Sequence, residues 1–278
     1  MGLYRIADIT LYIENSLSDI PESFAAFQTE ETAAYQINWA RREKSIHLSS
    51  DKPCIYKNSY IEVYDYTDSF LLLYPMSYFQ LQILVKCDGT SASYYIGMIP
   101  NHMKSEMILY GMRDAFFIYA IQHNYLALHC SSIIYQDRAL LFSGCSGTGK
   151  TTHTKMWQEE YHVSILNGDV CLIKVINGIS VAYGLPWCGS SKQFVNAAYS
   201  LGGIVFLEQS NHNQIVLLSP IDGIMNLSAR AMTPNYNTQM VDIGLAICQQ
   251  IYSTTKCIKL YNKPEIEAVN LVKEYFTN

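Results

Sequence analysis

The stretch Gly144-Cys145-Ser146-Gly147-Thr148-Gly149-Lys150-Thr151 decides how the second half of this chain folds. It fits the phosphate-binding loop (P-loop) pattern G-x-x-x-x-G-K-[ST] at every position. The apolar run 138–143 before it favours a β-strand, and the run 152–159 after it, free of Gly and Pro, favours a helix. Strand, glycine-rich loop and helix, in that order, form the context in which this pattern binds a nucleotide. The stretch therefore predicts a nucleoside triphosphate site, and the alternative is a glycine-rich turn that binds nothing.

Each residue type in this loop has a physical task. The glycines let the backbone turn tightly and bring its N–H groups toward one point, and the following helix adds its unpaired amides and the positive end of its dipole. Lys150 supplies a mobile positive charge for the β- and γ-phosphates, and the Thr151 hydroxyl is placed to ligate Mg²⁺. ATP and Mg²⁺ are therefore the predicted cofactors. The predicted nucleotide-binding residues are Gly144, Cys145, Ser146, Gly147, Thr148, Gly149, Lys150, Thr151 and Thr152.

Length and composition limit the remaining possibilities. The 278 residues allow one large or two modest domains, and 49% hydrophobic against 15% charged residues supply ample material for a core. The net charge of −5 argues against a nucleic-acid binder, which usually shows a basic excess. No apolar run reaches the about 18 residues of a membrane span, and the start reads as neither a signal peptide nor a myristoylation site. The eight cysteines form no CxxC pair, so we expect free buried thiols, a cytoplasmic protein and no membrane partner.

The chain reads as two domains, a β-rich N-terminal domain at 1–104 and an α/β P-loop kinase domain at 105–278 with a mixed sheet and helices. The first domain shows strand patterns at 4–14, 34–41, 54–66, 70–74, 79–86 and 91–99, with a short helical possibility within 21–32. It holds no acid–base or metal-ligand spacing, so we expect a structural or substrate-presenting role. An amphipathic helix to Gln122 opens the second domain, and a strand at 125–135 precedes the P-loop strand.

Three polar residues follow the P-loop helix at the ends of apolar segments or in a loop. Asp169 ends the apolar strand 163–169, where a carboxylate beside a P-loop holds Mg²⁺ or positions the attacking group; the alternative is an ordinary turn Asp before the hairpin 170–183. Glu208 ends the buried strand 201–208 and is a candidate second acid, against the alternative of a strand-end Glu facing solvent. Lys192 lies in a loop rich in Gly, Pro and Ser and is a candidate contact for acceptor or phosphate, although a loop lysine is usually only solvated.

The rest of the second domain has a simple predicted order. A strand at 214–218 is expected to pair with 201–208 across the turn at 211–213. Helices are expected at 222–232 and 240–250, then a strand at 256–261 and a C-terminal helix at 264–275.

From about Leu126 to Glu208 the chain resembles the catalytic domain of HPr serine kinase/phosphorylase and related bacterial kinases. His129 stands fifteen residues before Gly144, where the family has a His close to the active site. The loop G-C-S-G-T-G-K-T-T is similar to S-G-x-G-K-S of these kinases and to S-G-T-G-K-T-T of ATP-dependent phosphoenolpyruvate carboxykinase. Asp169 stands nineteen residues past Lys150, where the family places an acidic pair, one member of which takes the proton from the target hydroxyl.

The resemblance has departures. The family pair is Asp-Asp, whereas this chain has Gly168-Asp169, and the Glu after the P-loop Ser of the HPr enzymes is Thr152 here. The G-L-P-W-C-G loop and the L-x-x-I-V-F-L-E strand look instead like kinases of peptide-biosynthesis and other bacterial gene clusters. These departures argue against the phosphorylase half-reaction and against HPr as the substrate.

The resemblance implies a kinase that moves the γ-phosphate of ATP to a hydroxyl, foremost a Ser of a protein or peptide, with a small hydroxy compound also open. It implies that Lys150 stabilises the transferring phosphoryl group, that Asp169 acts as base and with Thr151 as metal ligand, and that His129 lies near the γ-phosphate. A homo-oligomer is implied too, because HPr kinases are oligomeric. The alternative is a P-loop ATPase or nucleotide-dependent switch without an acceptor. A true carboxykinase fits less well, because the chain looks too short and that enzyme's metal-binding His and Lys are not found.

Overall fold

The computed structural model describes residues 2–14, 20–76, 79–97 and 101–277, and the chain divides into two compact units. The first unit extends to Gln122 and includes Pro234–Val241, and the second comprises His123–Thr233 and the chain from Asp242 onward. Each unit is built on one mixed sheet with helices, which agrees with the α/β class expected for the second. Within the described ranges no helix is long and apolar enough to cross a membrane.

The first unit contains an eight-stranded sheet. Its strands are β1 (Gly2–Ile6), β2 (Ile9–Ile13), β3 (Tyr35–Arg41), β4 (Cys54–Lys57), β5 (Glu62–Asp65), β6 (Ser69–Met76), β7 (Phe79–Lys86) and β8 (Ser91–Ile96). Their order in the sheet is β1-β2-β3-β8-β7-β6-β5-β4. A short 3₁₀ helix at Glu22–Phe27 supplies the helical stretch expected within 21–32, and the end of the predicted strand 91–99 lies outside the described residues.

Two predicted strands of the first unit are in fact hairpins. The run 4–14 folds back at Ala7, whose φ of +54° is left-handed, so that Ile6 pairs with Ile9. The run 54–66 likewise forms β4 and β5, which pair antiparallel. Period-2 alternation continues through a tight turn, so the pattern did not show where either strand ended.

Helix α1 (Asn101–Gln122) belongs to the first unit, so the boundary falls after Gln122 instead of between residues 104 and 105. A Cβ on Gly111 would collide with the Ile83 side chain and lie 2.9 Å from Leu81 Cδ2, so the helix backbone rests directly on β7. Residues 115–121 are all buried, and the last two turns are therefore apolar on every side, not amphipathic as expected.

The second unit carries the predicted P-loop. Its elements are β9 (Leu126–Tyr135), β10 (Arg138–Ser143), α2 (Lys150–Tyr161), β11 (Ser164–Asn167), β12 (Val170–Ile176), β13 (Ile179–Tyr183), β14 (Ala198–Gln209), β15 (Gln214–Leu217), α3 (Pro220–Arg230), α4 (Thr238–Thr254), β16 (Cys257–Asn262) and α5 (Ile266–Thr277). The first residues of α4 fall in the stretch Pro234–Val241, which is counted with the first unit. The sheet order is β10-β9-β12-β13-β14-β16-β15, with β11 on β9 and a further pairing of β10 with β14.

Strand β16 lies between β14 and β15, so the prediction that 214–218 pairs with 201–208 is wrong. Strand β16 runs parallel to β14 and antiparallel to β15. Its Ile258 and Leu260 are fully buried in the same core cluster as Val205 and Leu207 of β14. The turn at 211–213 indicated a reversal of the chain, but the packing of β16, which comes later in the sequence, decided which strand became the neighbour.

The centre of this sheet positions the candidate site. Strand β10 pairs antiparallel with β9 and parallel with β14, so the carboxyl ends of β10 and β14 meet at one edge. The loop 144–149 leaves β10 at that edge, and α2 returns over the sheet with Trp157 fully buried in a cluster that includes Phe142 and Leu207. The loop is therefore held on both sides by buried elements.

Candidate active site

The backbone of the loop 144–149 turns tightly at its glycines. Gly147 and Gly149 have φ values of +82° and +95°, a region that favours glycine. A Cβ on Gly144 would lie 2.8 Å from the Leu207 carbonyl oxygen, so only glycine allows the loop to pass this close to β14. The Thr148 hydroxyl donates to the Cys145 carbonyl at 2.9 Å and tightens the turn. No side chain caps α2 at Gly149, so its first amides remain available to an anion.

Lys150 begins α2 and folds back over the loop. Its Nζ donates to the carbonyl oxygens of Gly144 at 3.0 Å and of Cys145 at 3.1 Å. Burial lowers the pKa of Lys150, while the charge of Asp169 acts in the opposite direction. The ammonium therefore sits at the mouth of the loop, close enough to Asp169 for their charges to interact.

His129 and Asp169, each of which was assigned to the site separately, lie together at the edge of the sheet. His129 Nδ1 and Asp169 Oδ1 are 3.5 Å apart, and both side chains are partly exposed. The ladder between β9 and β12 sets this distance, because His129 pairs with Val170 and the Cys130 amide donates to the Asp169 carbonyl at 3.0 Å. A carboxylate that is solvent-accessible and fixed by its own backbone is suited to accept a proton from a bound hydroxyl.

Asn167 is a buried residue that holds the Asp169 turn, and the sequence analysis did not identify it. Its Oδ1 accepts the amides of Asp169 at 2.9 Å and Val170 at 3.0 Å, and its Nδ2 donates to the Leu185 carbonyl at 2.8 Å. The Ser132 hydroxyl contacts the backbone of Asn167 on both its amide and its carbonyl. An Asn two residues before an acid is a signal for such a turn, since its side chain mimics a backbone acceptor.

Gly168 directly precedes Asp169, and its surroundings leave no space for a side chain. A Cβ at this position would collide with Ser191 Oγ and lie 2.8 Å from Ser191 Cβ and 3.2 Å from the Cys188 carbonyl oxygen. The Gly168 amide also donates to the Gln193 carbonyl at 3.1 Å. The loop that follows β13 therefore lies directly on the Asp169 turn and leaves no room for a second carboxylate there.

Two further residues reach the loop from distant parts of the second unit. Gln209, at the end of β14, donates from Nε2 to the Gly147 carbonyl at 2.9 Å. Arg230, the last residue of α3, places Nη2 2.9 Å from the Sγ of Cys145, which is exposed and not buried as expected of the cysteines. The chain after α3 is tied to β9 by the Met232 amide, which donates to the Ala127 carbonyl at 2.8 Å. A basic residue in the last turn of a helix is ordinarily explained by the helix dipole, so no local signal marked Arg230.

Lys192 and Glu208, the candidate substrate residues, differ in their surroundings. Lys192 is exposed on the loop after β13, and its charge and that of Asp169 both act on the Cys188 thiol, so the two lie in the same neighbourhood. Glu208 forms an ion pair of 3.0 Å with Lys259 and raises the pKa of that lysine through this hydrogen bond. Its neighbour Gln209, not Glu208, contacts the loop.

Thr151 and Thr152 are exposed on the first turn of α2. Among the described side chains no group of three His, Cys, Asp or Glu residues could hold a metal ion. A hydroxyl and a carboxylate nonetheless suit Mg²⁺, which commonly takes one or two protein oxygens together with phosphates and waters. The hydroxyl of Thr151 and the carboxylate of Asp169 are therefore of the chemical type that Mg²⁺ takes from a protein.

Comparisons with known proteins give matches among solved structures alone. No family model matches the chain, and no curated protein does. Among solved structures, the HPr(Ser) kinase/phosphatase from Coxiella burnetii matches at 13% identity and a TM-score of 0.33, over 54% of this chain and 95% of that one. A likeness of this degree does not determine what the residues of this chain do.

Proposed function

We propose that the second unit is an ATP- and Mg²⁺-dependent phosphotransferase that moves the γ-phosphate to a serine hydroxyl of a protein or peptide. The observation that carries this proposal is the arrangement of Lys150 at the mouth of the loop with the His129–Asp169 pair, 3.5 Å apart, at the same edge of the sheet. A phosphate site with an accessible carboxylate beside it supplies the two needs of phosphoryl transfer, charge neutralisation and a positioned nucleophile.

Each residue then has a definite task. The loop amides and Lys150 bind the β- and γ-phosphates, and Thr151 holds Mg²⁺, which supplies further neutralisation of phosphate charge. Asp169 accepts the proton of the attacking hydroxyl, and His129 orients the Asp169 carboxylate from 3.5 Å. A direct contact between Asp169 and Mg²⁺ is the second role predicted for this carboxylate.

Transfer of label from γ-labelled ATP tests the proposal. Wild-type protein with Mg²⁺ is offered serine peptides, small hydroxy compounds and cell extract, beside Lys150→Ala and the control Lys263→Ala, a partly exposed lysine paired with Glu265. We expect label to move to an acceptor with wild type and the control and not with Lys150→Ala. Loss of a general base typically costs about 10²–10⁴ in rate, so Asp169→Ala should fall in that range. An Asp169→Ala variant that transfers label at the wild-type rate would show that the base is misassigned.

The Asp169→Asn variant separates the two roles of this residue. An amide keeps an oxygen for Mg²⁺ but cannot accept the proton at neutral pH. If Asp169 is the base alone, Asn and Ala variants lose transfer equally and bind Mg·ATP as the wild type does. If it also holds the metal, Asp169→Ala binds Mg·ATP more weakly than Asp169→Asn.

One observation favours the alternative, an ATPase or switch without an acceptor. The Arg230 guanidinium lies beside the loop, 2.9 Å from Cys145 Sγ, and an arginine supplied by the same chain accelerates hydrolysis in some nucleotide switches. This alternative predicts phosphate release without any labelled acceptor, lost in Arg230→Ala with nucleotide binding retained. A labelled acceptor would exclude it as the main activity.

A further inference from the structure

A small cavity beside the P-loop helix is not used by the tasks assigned so far. It measures about 190 Å³ and lies between α2 on one side and the Asp169 turn with the loop after β13 on the other. We name it the α2 cavity, lined on one wall by Thr151, Thr154, Lys155 and Gln158 and on the other by Gly168, Ser191 and Gln193.

The helical wall is one continuous face. Thr151, Thr154, Lys155 and Gln158 follow the spacing i, i+3, i+4, i+7, which places them on one side of α2. The face covers about 10 Å along the helix axis at 1.5 Å per residue. It presents the Thr151 hydroxyl, the Lys155 ammonium and the Gln158 amide, whereas the hydroxyl of the buried Thr154 is hydrogen-bonded to Ser131. Ile165 adds an apolar side chain to the lining, so the cavity has both polar and apolar surface.

The lining of the cavity includes residues next to the proposed transfer centre. Thr151 is the residue assigned to Mg²⁺, and Gly168 directly precedes Asp169 in the opposite wall. Pockets that enclose whole ligands are commonly about 300–1,000 Å³, so a cavity of this size takes a side chain and not a nucleotide base with its ribose. A group lodged in it would be part of the molecule whose hydroxyl meets Asp169.

The charges of the lining residues limit which kind of acceptor side chain the cavity can bind. Among the described lining residues Lys155 is the one with an ionisable side chain, and its partner Glu159 is a surface contact at 3.7 Å that contributes little. The amides of Gln158 and Gln193 can donate to a carboxylate or pair with another amide. A basic side chain would meet the Lys155 ammonium without a carboxylate in the lining to offset it.

We infer that the α2 cavity is the subsite for the residue that flanks the phosphorylated serine in a peptide or protein acceptor, and that it selects acidic or amide side chains over basic ones. This inference rests on the proposed kinase activity and adds to it the sequence preference of the acceptor. It assigns Lys155 and Gln158 to acceptor recognition, with no part in nucleotide binding.

A peptide panel tests this assignment. Each peptide carries one serine in an alanine background, with the residue before or after it set to Asp, Asn, Leu or Lys, and γ-labelled ATP is the donor. One favourable charged contact of about 1.4 kcal/mol is tenfold in kcat/KM, so wild type should use the best Asp or Asn peptide at least tenfold better than its Lys counterpart. Lys155→Glu should reverse the order of the Asp and Lys peptides, and Gln158→Ala should lower kcat/KM for the Asn peptide severalfold. The Kd for Mg·ATP is expected to stay within about twofold in both variants, because neither residue touches the phosphates.

Controls separate this inference from the proposed function. Lys263→Glu carries the same charge change away from the cavity and should keep the wild-type order of peptides, and Lys155→Gln removes the charge if Lys155→Glu disturbs the helix. The same peptide order in wild type, Lys155→Glu and Lys155→Gln would overturn the cavity assignment and leave the kinase standing. If no peptide is labelled while Mg·ATP is bound and hydrolysed, both the peptide subsite and the protein-kinase proposal are wrong.

Discussion

His153 makes the free energy of unfolding of the second unit depend on pH. This residue of α2 is fully buried, its ring lies 4.6 Å from the ring of Phe142, and neither ring nitrogen has a hydrogen-bond partner among the described residues. Burial lowers the pKa of His153 from 6.5 to about 3. The histidine is therefore neutral in the folded protein at every pH at which the protein would be used.

The direction of this pH dependence follows from which state, folded or unfolded, binds the proton. Below pH 6.5 the unfolded chain takes up a proton at His153, whereas the folded chain does not until about pH 3. The free energy of unfolding therefore falls as the pH is lowered through this window, by about 1.4 kcal/mol for each pH unit. At pH 5 the loss due to His153 is about 2 kcal/mol relative to pH 8.

Urea unfolding at pH 8, 6.5 and 5 measures this loss, with the fluorescence of Trp157 and Trp187 reporting on the second unit. His153→Leu removes the titrating group at similar volume, and His212→Gln, at an exposed turn, is the matched control. We expect the stability of the wild type and of His212→Gln to fall by about 2 kcal/mol more than that of His153→Leu between pH 8 and 5. Parallel curves for wild type and His153→Leu would refute the claim that a neutral buried histidine sets this slope.

Other predictions concern the turn and the loop. Asn167→Ala removes three buried hydrogen bonds and should lower the free energy of unfolding by about 3 kcal/mol in urea titrations, so a loss below about 1 kcal/mol would show that the turn does not depend on it. Gly168→Ala should slow label transfer at least about tenfold through its clash with Ser191, and Ser191→Gly should restore the rate; additive losses in the double variant would contradict this. Gln209→Ala should raise the Kd for Mg·ATP severalfold because it frees the Gly147 carbonyl, which calorimetry would detect. Glu208→Ala is the matched test of the expected substrate role: it should raise the acceptor KM with the Kd for Mg·ATP unchanged, and an unchanged KM would remove Glu208 from the site.

The local part of the candidate site was predictable from the sequence. Glycine at 147 and 149 can adopt the left-handed backbone that the structure shows because it has no Cβ, and this property does not depend on the surroundings. The strand before the loop and the helix after it were recognised within a few residues, since apolar runs and breakers act over short distances. The resemblance placed His129 and Asp169 in the site one by one, and their approach to each other follows from the pairing of β9 with β12.

The non-local part was not predictable in the same way. Strand ends within 4–14 and 54–66 were missed because a tight turn leaves the period-2 pattern unbroken. The helix α1 was assigned to the wrong unit because the apolar residues of a helix do not indicate which sheet the helix packs against. The predicted partner of β15 was wrong because a turn determines where the chain reverses direction but does not determine which strand lies beside it in the sheet.

The sequence by itself determined that a glycine-rich loop with the P-loop pattern stands between a strand and a helix, because its glycines and the apolar run before it act through their own local chemistry. Only the tertiary structure decided what surrounds that loop. Arg230 comes to Cys145 because the chain after α3 is tied to β9, and Gly168 excludes a second acid because a loop from beyond β13 lies on it. Such contacts join residues far apart in the chain, and their partners are selected by burial and register, which no single stretch of sequence contains.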